Sequence, residues 1–370
     1  MLPLVPTLNL AAHLGRGVQR IATDAVVGAV RSLPRQVADV DAAYLSKLMG
    51  AQVTSVQVVG GDAGTSSRAL LKLTGTDGPE TVFIKMAAET TATRLMGELG
   101  RLGSTEVSFY RDLAPQLSDV PQCYGSVFDG LTGRFVLVLE DLAATGPCEF
   151  PDTLHPLTVE QAALIVELLA RLHATFWGKA DRYPWIYSAS GDATSLLVGS
   201  LANTSVKKLQ GRTDIPVENG RYIIDNYRAA ATLVDAAPTT VMHGDAHPGN
   251  VYFRNGKAGL LDWQAVRKGH PCRELSYTLI TSMTTEDRRA HQCELLDTYR
   301  QALRAAGGPE LDRDELWDRF RQGATYAYVA TLITSGMGGM QDDTIAQEGL
   351  ARSVAALEDL DTVSQLKRSL

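Results

Sequence analysis

The stretch Val241–Gln264, VMHGDAHPGNVYFRNGKAGLLDWQ, constrains the chain more than any other. It sets two polar segments, each behind an apolar run, around a turn signal at Asn255-Gly256. An Asn-Gly pair between apolar runs predicts a tight hairpin, because both residues tolerate positive φ. The spacing therefore predicts strand, polar loop, strand, turn, strand, with His243, Asp245, His247 and Asn250 on the loop and Asp262 at the end of the last strand. Two chemistries fit these residues. In an extended segment His243, Asp245 and His247 share one face, and two imidazoles with a carboxylate suit zinc or iron in a metal-dependent hydrolase. Pro248-Gly249 ends any strand at that point, which makes such a site cramped.

Phosphoryl transfer is the second chemistry. It asks for a carboxylate at the attacking hydroxyl, oxygen ligands for magnesium, and a cation on the phosphates. Asp245 and Asn250 lie five residues apart on one loop, and a hairpin would return Asp262 beside it.

HGDAHPGN followed by LLDWQ resembles the aminoglycoside phosphotransferase and choline kinase-like family, of protein kinase-like fold. The pattern is H-G-D-x-x-x-x-N, then an apolar strand ending in D-[FW]. LARLHATFWG (169–178) and the DWQ ending also resemble the ecdysteroid kinase-like branch. The resemblance covers roughly residues 40–335. It implies an α+β, two-lobed kinase-like fold: a small antiparallel-sheet N-lobe with one main helix and a larger, mainly helical C-lobe, with ATP and Mg2+ in a cleft between them. It implies Asp245 as catalytic base and Asn250 and Asp262 as metal ligands, with His243 as scaffold.

The resemblance also demands a strand lysine paired to a helical glutamate upstream. TVFIKM places Lys85 on a strand. Glu106 follows 21 residues later in a segment, Thr93–Leu113, whose apolar steps predict a helix. GGDAGTSSR (60–68) is neither GxGxxG nor a P-loop. It offers Gly61 and Gly64 for close backbone approach and Thr65 and Ser66 as donors to phosphate. LVLEDL (137–142) stands where the family joins its lobes, which implies backbone contacts from Glu140 to Leu142 to the adenine edge. Two positions depart from the pattern: Glu274 replaces the usual aspartate of the following helix start, and Gln264 follows Asp262-Trp263 where glycine is common.

The organisation along the chain agrees. Leu10, Leu14, Val18, Ile21 and Ala25 predict an amphipathic helix within an N-terminal extension, 1–39. Residues 40–142 read as a sheet of about five strands with one main helix. Residues 143–370 read as helical, with a capping-box start at Thr158/Gln161, an irregular 181–216, a helix over Glu218–Val234, and long helices near 286–305, 312–334 and 343–365. His173 falls on an apolar helical face and reads as a satisfied core histidine.

Composition narrows the partners. The chain has 370 residues, 45% of them hydrophobic, and a net charge of −7 without a basic block, which argues against nucleic acid. The four cysteines form no CxxC pair and fit a reducing, cytoplasmic setting. The uncharged stretch 322–341 holds four glycines and reads as a buried helix and loop rather than a stable membrane insertion. The expectation is an ATP-dependent small-molecule kinase with a hydroxyl acceptor. The alternatives are the metal-dependent hydrolase and a catalytically inactive kinase-like binding protein. Aminoglycosides, amino alcohols, sugars and steroid-like alcohols all remain open as acceptors.

Overall fold

The computed structural model describes residues 4–31, 33–75, 77–339 and 341–370. The chain divides into two compact units. The first comprises 1–148 with 262–265, the second 149–261 with 266–370.

In the first unit, strands β1 (Ser55–Ala63), β2 (Ser66–Thr74), β3 (Thr81–Ala87), β4 (Cys123–Phe128) and β5 (Phe135–Glu140) form one antiparallel sheet of order β1-β2-β3-β5-β4. The expected TDG turn between β2 and β3 includes Thr76, which lies outside the described residues. Alternation along the strands gives the sheet two working faces. Val82, Ile84 and Met86 point to one face with Leu71, Leu73, Val136 and Val138. There they pack with Leu45 of α2 (Ala42–Met49). Lys85 and its register partner Leu137 point to the other.

That second face carries the helical segment predicted over Thr93–Leu113. It is two helices, α3 (Thr91–Gly100) and α4 (Leu102–Asp112), because Arg101 between them takes the left-handed conformation, φ 56°. Gly103 lets α4 approach the sheet: a Cβ there would stand 2.2 Å from the Phe135 ring. The N-terminal helix α1 (Leu4–Val27) docks on α3, with Arg20 bound to Glu98 at 2.8 Å and His13 Nε2 2.9 Å from the Leu99 carbonyl. Below it, buried Asp24 binds the guanidinium groups of Arg94 and Arg134 at 2.6 and 2.7 Å.

The second unit is mainly helical. A two-residue strand, β6 (Cys148–Glu149), falls where the chain enters it. Helix α5 (Val159–Phe176) begins at the expected capping box, Thr158 with Gln161. Residues 181–216, read as irregular, contain α6 (Ser195–Leu209). The helix expected over Glu218–Val234 is broken into a 3-10 turn, α7 (Arg221–Asp225) and α8 (Tyr227–Val234).

Next come β7 (Thr240–Met242), the hairpin β8 (Val251–Arg254) with β9 (Lys257–Leu260), and β10 (Arg267–Gly269), which pairs antiparallel with β7. Asn255 and Gly256 take φ 54° and 72°, as the Asn-Gly signal requires. Then follow α9 (Cys272–Ser282), α10 (Thr285–Ala305), α11 (Arg313–Met337), α12 (Asp343–Asp359) and α13 (Thr362–Ser369). The last two replace the single helix expected near 343–365, the break falling where Asp361 is left-handed, φ 48°.

Every residue of α9 is buried. Gly323 of α11 makes this possible, since a Cβ there would lie 2.6 Å from the Cys272 carbonyl oxygen. The uncharged stretch 322–341 belongs to α11 as far as Met337, followed by Gly338 and Gly339 at positive φ. Among the described residues no helix is long and apolar enough to cross a membrane.

Candidate active site

Two groups of residues carry the candidate chemistry, one in each unit. In the first unit, Lys85 rises from the helix-bearing face of the sheet. Its Nζ lies 2.7 Å from the Glu106 carboxylate on α4 and 2.8 Å from the Asp262 carboxylate. Gln264 Oε1 stands 3.4 Å from the same nitrogen. One ammonium thus serves two carboxylates in a nearly closed environment, where Lys85 and Glu106 are 4% and 1% exposed.

Burial works against the Lys85 charge, but Asp262 and Glu106 outweigh it and hold the ammonium above its usual range. Burial raises the Glu106 carboxyl, with the Asp262 charge adding to it and Lys85 opposing, to about 7. The centre holds one negative charge more than its lysine neutralises when both carboxylates ionise. That excess suits a cation bound to Asp262.

The local sequence explains how this centre is held. Glu106 and Phe109 are one turn apart on α4 and share a face. Phe109 stacks on Trp263 with ring centroids 3.9 Å apart and planes 5° from parallel. Trp263, 1% exposed, therefore pins Asp262 beside the glutamate's helix. Burial of such a ring contributes about 2–3 kcal/mol and the stack roughly 1 more. Asp262 is not a strand end. The strand stops at Leu260, and Asp262 sits two residues on in the left-handed region at φ 60°. That conformation costs an L-residue on the order of 1 kcal/mol.

The predicted phosphate-loop residues form the tight β1–β2 turn. Gly61 lies within β1, where a Cβ would meet the Arg68 carbonyl oxygen at 2.6 Å, and the exposed Gly64 donates its N–H to the Ser66 carbonyl at 3.0 Å. Thr65 and Ser66 line an open depression of about 430 Å3 that also takes in Gln264 and Phe135. Glu140 and Leu142 are not among the residues of that depression. They end and follow β5, and the Glu140 N–H is bound to the Gln122 carbonyl at 2.8 Å.

In the second unit the loop after β7 carries Asp245 and Asn250 together. Asn250 Nδ2 donates to the Asp245 backbone carbonyl at 2.9 Å and to its carboxylate at 3.3 Å. Tyr277 of α9 donates its hydroxyl to the other carboxylate oxygen at 2.8 Å. Burial and the neighbouring Asp245 charge raise the Tyr277 phenol well above its usual value, so it stays protonated and remains a donor. Sequence reasoning missed Tyr277, because nothing in the chain's local pattern sets the register of α9 against a loop 32 residues earlier.

His243 is scaffold. It is fully buried, its Nε2 lies 2.7 Å from the Leu261 carbonyl oxygen, and its Nδ1 accepts the Asp245 N–H at 3.3 Å. With both ring nitrogens turned to backbone groups, it does not join His247 and Asp245 as a metal ligand. His247 Nε2 stands 3.8 Å from the Asp245 carboxylate.

Glu274, which replaces the family's aspartate, holds the whole turn. Its carboxylate accepts the Gly244 N–H at 2.6 Å and the His243 N–H at 3.2 Å, and it meets His173 Nε2 at 2.9 Å. Burial raises this carboxyl, and its contacts with His173, His243 and Gly244 more than reverse the effect, leaving it below the usual carboxylate range. His173, whose other ring nitrogen meets Tyr299 Oη at 2.9 Å, is the expected satisfied core histidine. Tyr326 of α11 adds a bond to the Gly244 carbonyl at 2.7 Å.

Residues 60–321 match the family model described as the phosphotransferase enzyme family. The chain belongs to that family. The phosphotransferase has the two-lobed protein kinase-like fold, and an alcohol group is the acceptor class of such an enzyme. Among solved structures it is similar to a putative aminoglycoside phosphotransferase from Ralstonia eutropha JMP134, at 14% identity and a TM-score of 0.51, covering 87% of this chain and 96% of that one. It is also similar to choline kinase from Cryptosporidium parvum Iowa II, at 10% identity and a TM-score of 0.52, covering 85% and 90%. At these identities the likeness speaks for the fold alone. None of the curated proteins matches the chain.

Proposed function

We propose that the phosphotransferase is an ATP-dependent small-molecule kinase of the cytoplasm. Its reaction passes the γ-phosphoryl group of ATP to a hydroxyl of a small metabolite or antibiotic-like acceptor. The observation that carries this reading is the buried centre of Lys85, Glu106 and Asp262: one ammonium, a carboxylate that orients it, and a second carboxylate in excess charge.

In the reaction the acceptor oxygen forms a bond to the γ-phosphorus, the bond to the β,γ-bridging oxygen breaks, and ADP leaves. Asp245, oriented by Tyr277 and Asn250, accepts the hydroxyl proton. General base catalysis of this kind contributes ~10²–10⁴ in rate. Lys85 pairs with phosphate oxygens, and Glu106 keeps its ammonium in place. Gly61, Gly64, Thr65 and Ser66 are assigned to the phosphates, and the backbone at Glu140 and Leu142 to the base. Asp262 and Asn250 are assigned to Mg2+, which is hard and takes oxygen ligands of these kinds. Bound magnesium supplies positive charge against the phosphates. Residues 40–142 are then the nucleotide-binding lobe, 143–370 the lobe of the catalytic loop and acceptor, and 1–39 a brace on α3.

Thermal unfolding with ATP, with and without magnesium, tests the assignment. Saturating ATP with magnesium stabilises a binder by roughly 2.7 kcal/mol at a hundredfold excess over Kd. The magnesium-dependent part of the rise in Tm is expected to vanish in Asp262→Ala. An equal rise in that variant removes Asp262 from the metal site.

A further inference from the structure

The second unit holds a pocket whose lining differs in chemistry from what a cationic acceptor needs. Its walls include four threonines, Thr153, Thr281, Thr331 and Thr334, with Tyr277 and His247 at one end. Tyr277 is the residue that binds Asp245, and His247 lies beside the same carboxylate, so two of the lining residues neighbour the candidate base. The space between these residues is about 340 Å3 with the open solvent at its mouth included.

Among its described lining residues none is Asp, Glu, Lys or Arg. A buried guanidinium stands behind the wall. Arg352 donates to the backbone carbonyls of Thr153 and Thr281, each at 2.9 Å, and its Nε meets Glu348 at 3.0 Å. Glu348 is thus paired with Arg352, and Asp245 at the other end is bound by Tyr277 and Asn250. An aromatic cage for a quaternary ammonium is missing too. Among the described lining residues Tyr277 is the only aromatic besides the imidazole, and the neighbouring Tyr326 ring is covered by Arg273 at 4.0 Å.

The threonines offer a different recognition. Thr281 and Thr331 give their hydroxyl protons to the Tyr277 and Ala327 carbonyls of their own helices, each at 2.8 Å. Their oxygens are left as acceptors, with methyl groups and Ile345 beside them. A ligand that matches is small, donates several hydrogen bonds, and has carbon faces between them. Among the described lining residues a cation would find no counter-charge, and Asp245 beyond them is already bound by Tyr277 and Asn250.

Resting on the kinase reading above, we infer that this pocket takes the acceptor and that the acceptor is an uncharged hydroxylated molecule of sugar or polyol type, rather than an aminoglycoside or a quaternary amino alcohol.

The test is a panel of matched acceptors with Mg-ATP: glucose against glucosamine, a linear polyol against its amino counterpart, and choline and kanamycin as free-standing cations. ADP release and the mass of the product are both read. The uncharged member of each pair is expected to show a kcat/KM higher by roughly tenfold or more. A carboxylate placed on the wall, Thr334→Asp or independently Ile345→Asp, is expected to shift that ratio toward the amine by about tenfold. Preference of the natural chain for the cationic members overturns the inference and leaves the kinase reading standing. Absence of phosphorylated product across the panel overturns it as well. Whether the kinase reading falls too is then told separately, by the magnesium-dependent rise in Tm and its loss in Asp262→Ala.

Discussion

At the residue scale, the candidate site is a set of side chains each held by a specific partner. Lys85 with Glu106 was legible because the family resemblance asks for a strand lysine and a helical glutamate, and TVFIKM and the helical segment over Thr93–Leu113 offer them in that order. Asp262 was legible by type but not by conformation, since no periodic signal marks a left-handed aspartate. Gln264 stood out only as a departure from glycine, and its proximity to Lys85 emerges from the fold.

Glu274 is the residue on which most of the candidate catalytic turn depends. Its carboxylate takes two backbone N–H groups and a histidine in a fully buried place. Glu274→Gln puts an amide donor against these donors, and such losses cost about 2–4 kcal/mol. We expect Tm to fall by roughly 4–12 °C and turnover to fall with it, as read by calorimetry and by ADP release. A variant that melts and turns over like the natural chain would show that Glu274 only fills space.

At the element scale, strands and capped helices were readable and interruptions were not. The capping box at Thr158 and the Asn-Gly turn are local chemistry, visible without the fold. The break between α3 and α4 turns on Arg101, a residue with no intrinsic preference for positive φ, so tertiary packing of α4 on β5 decides it. The same holds at Asp361. Helix α6 went unseen because Gly199, Ser200, Asn203 and Thr204 weaken the helical signal, while its buried side, Ala202, Ser205, Val206 and Leu209, is set by packing.

Helix α9 gives a test of its own. Its first turn is held by His270, whose Nδ1 accepts the Cys272 N–H at 3.2 Å. Burial, with Arg319 and His173 nearby, depresses the His270 pKa from 6.5 to about 3. The folded state therefore keeps His270 neutral where the unfolded chain takes up a proton. This contribution is present above pH 6.5 and is lost as pH falls toward 3. His270→Asn keeps an acceptor and removes the titration. Its stability, measured by urea unfolding, is expected to fall less steeply than that of the natural chain over this range. Parallel curves would show that His270 does not titrate differently in the two states.

At the scale of the whole molecule, the fold class was legible because two motifs and two upstream residues fell in the order the kinase-like fold requires. The acceptor was not legible. The pocket proposed for it is lined from α9, α11, α12 and the segment before α5, elements that only the fold brings together.

The central claim is that the chain moves a phosphoryl group to a hydroxyl with Asp245 as base. Mass spectrometry of a pooled hydroxyl-metabolite mixture, incubated with ATP and magnesium and either the natural chain or Asp245→Asn, tests it most directly. The expected product is an acceptor heavier by one phosphoryl group, formed only with ATP and magnesium, and made ~10²–10⁴-fold more slowly by the variant. Equal rates from the two proteins would contradict the role of Asp245. No phosphorylated acceptor from either would contradict the claim itself.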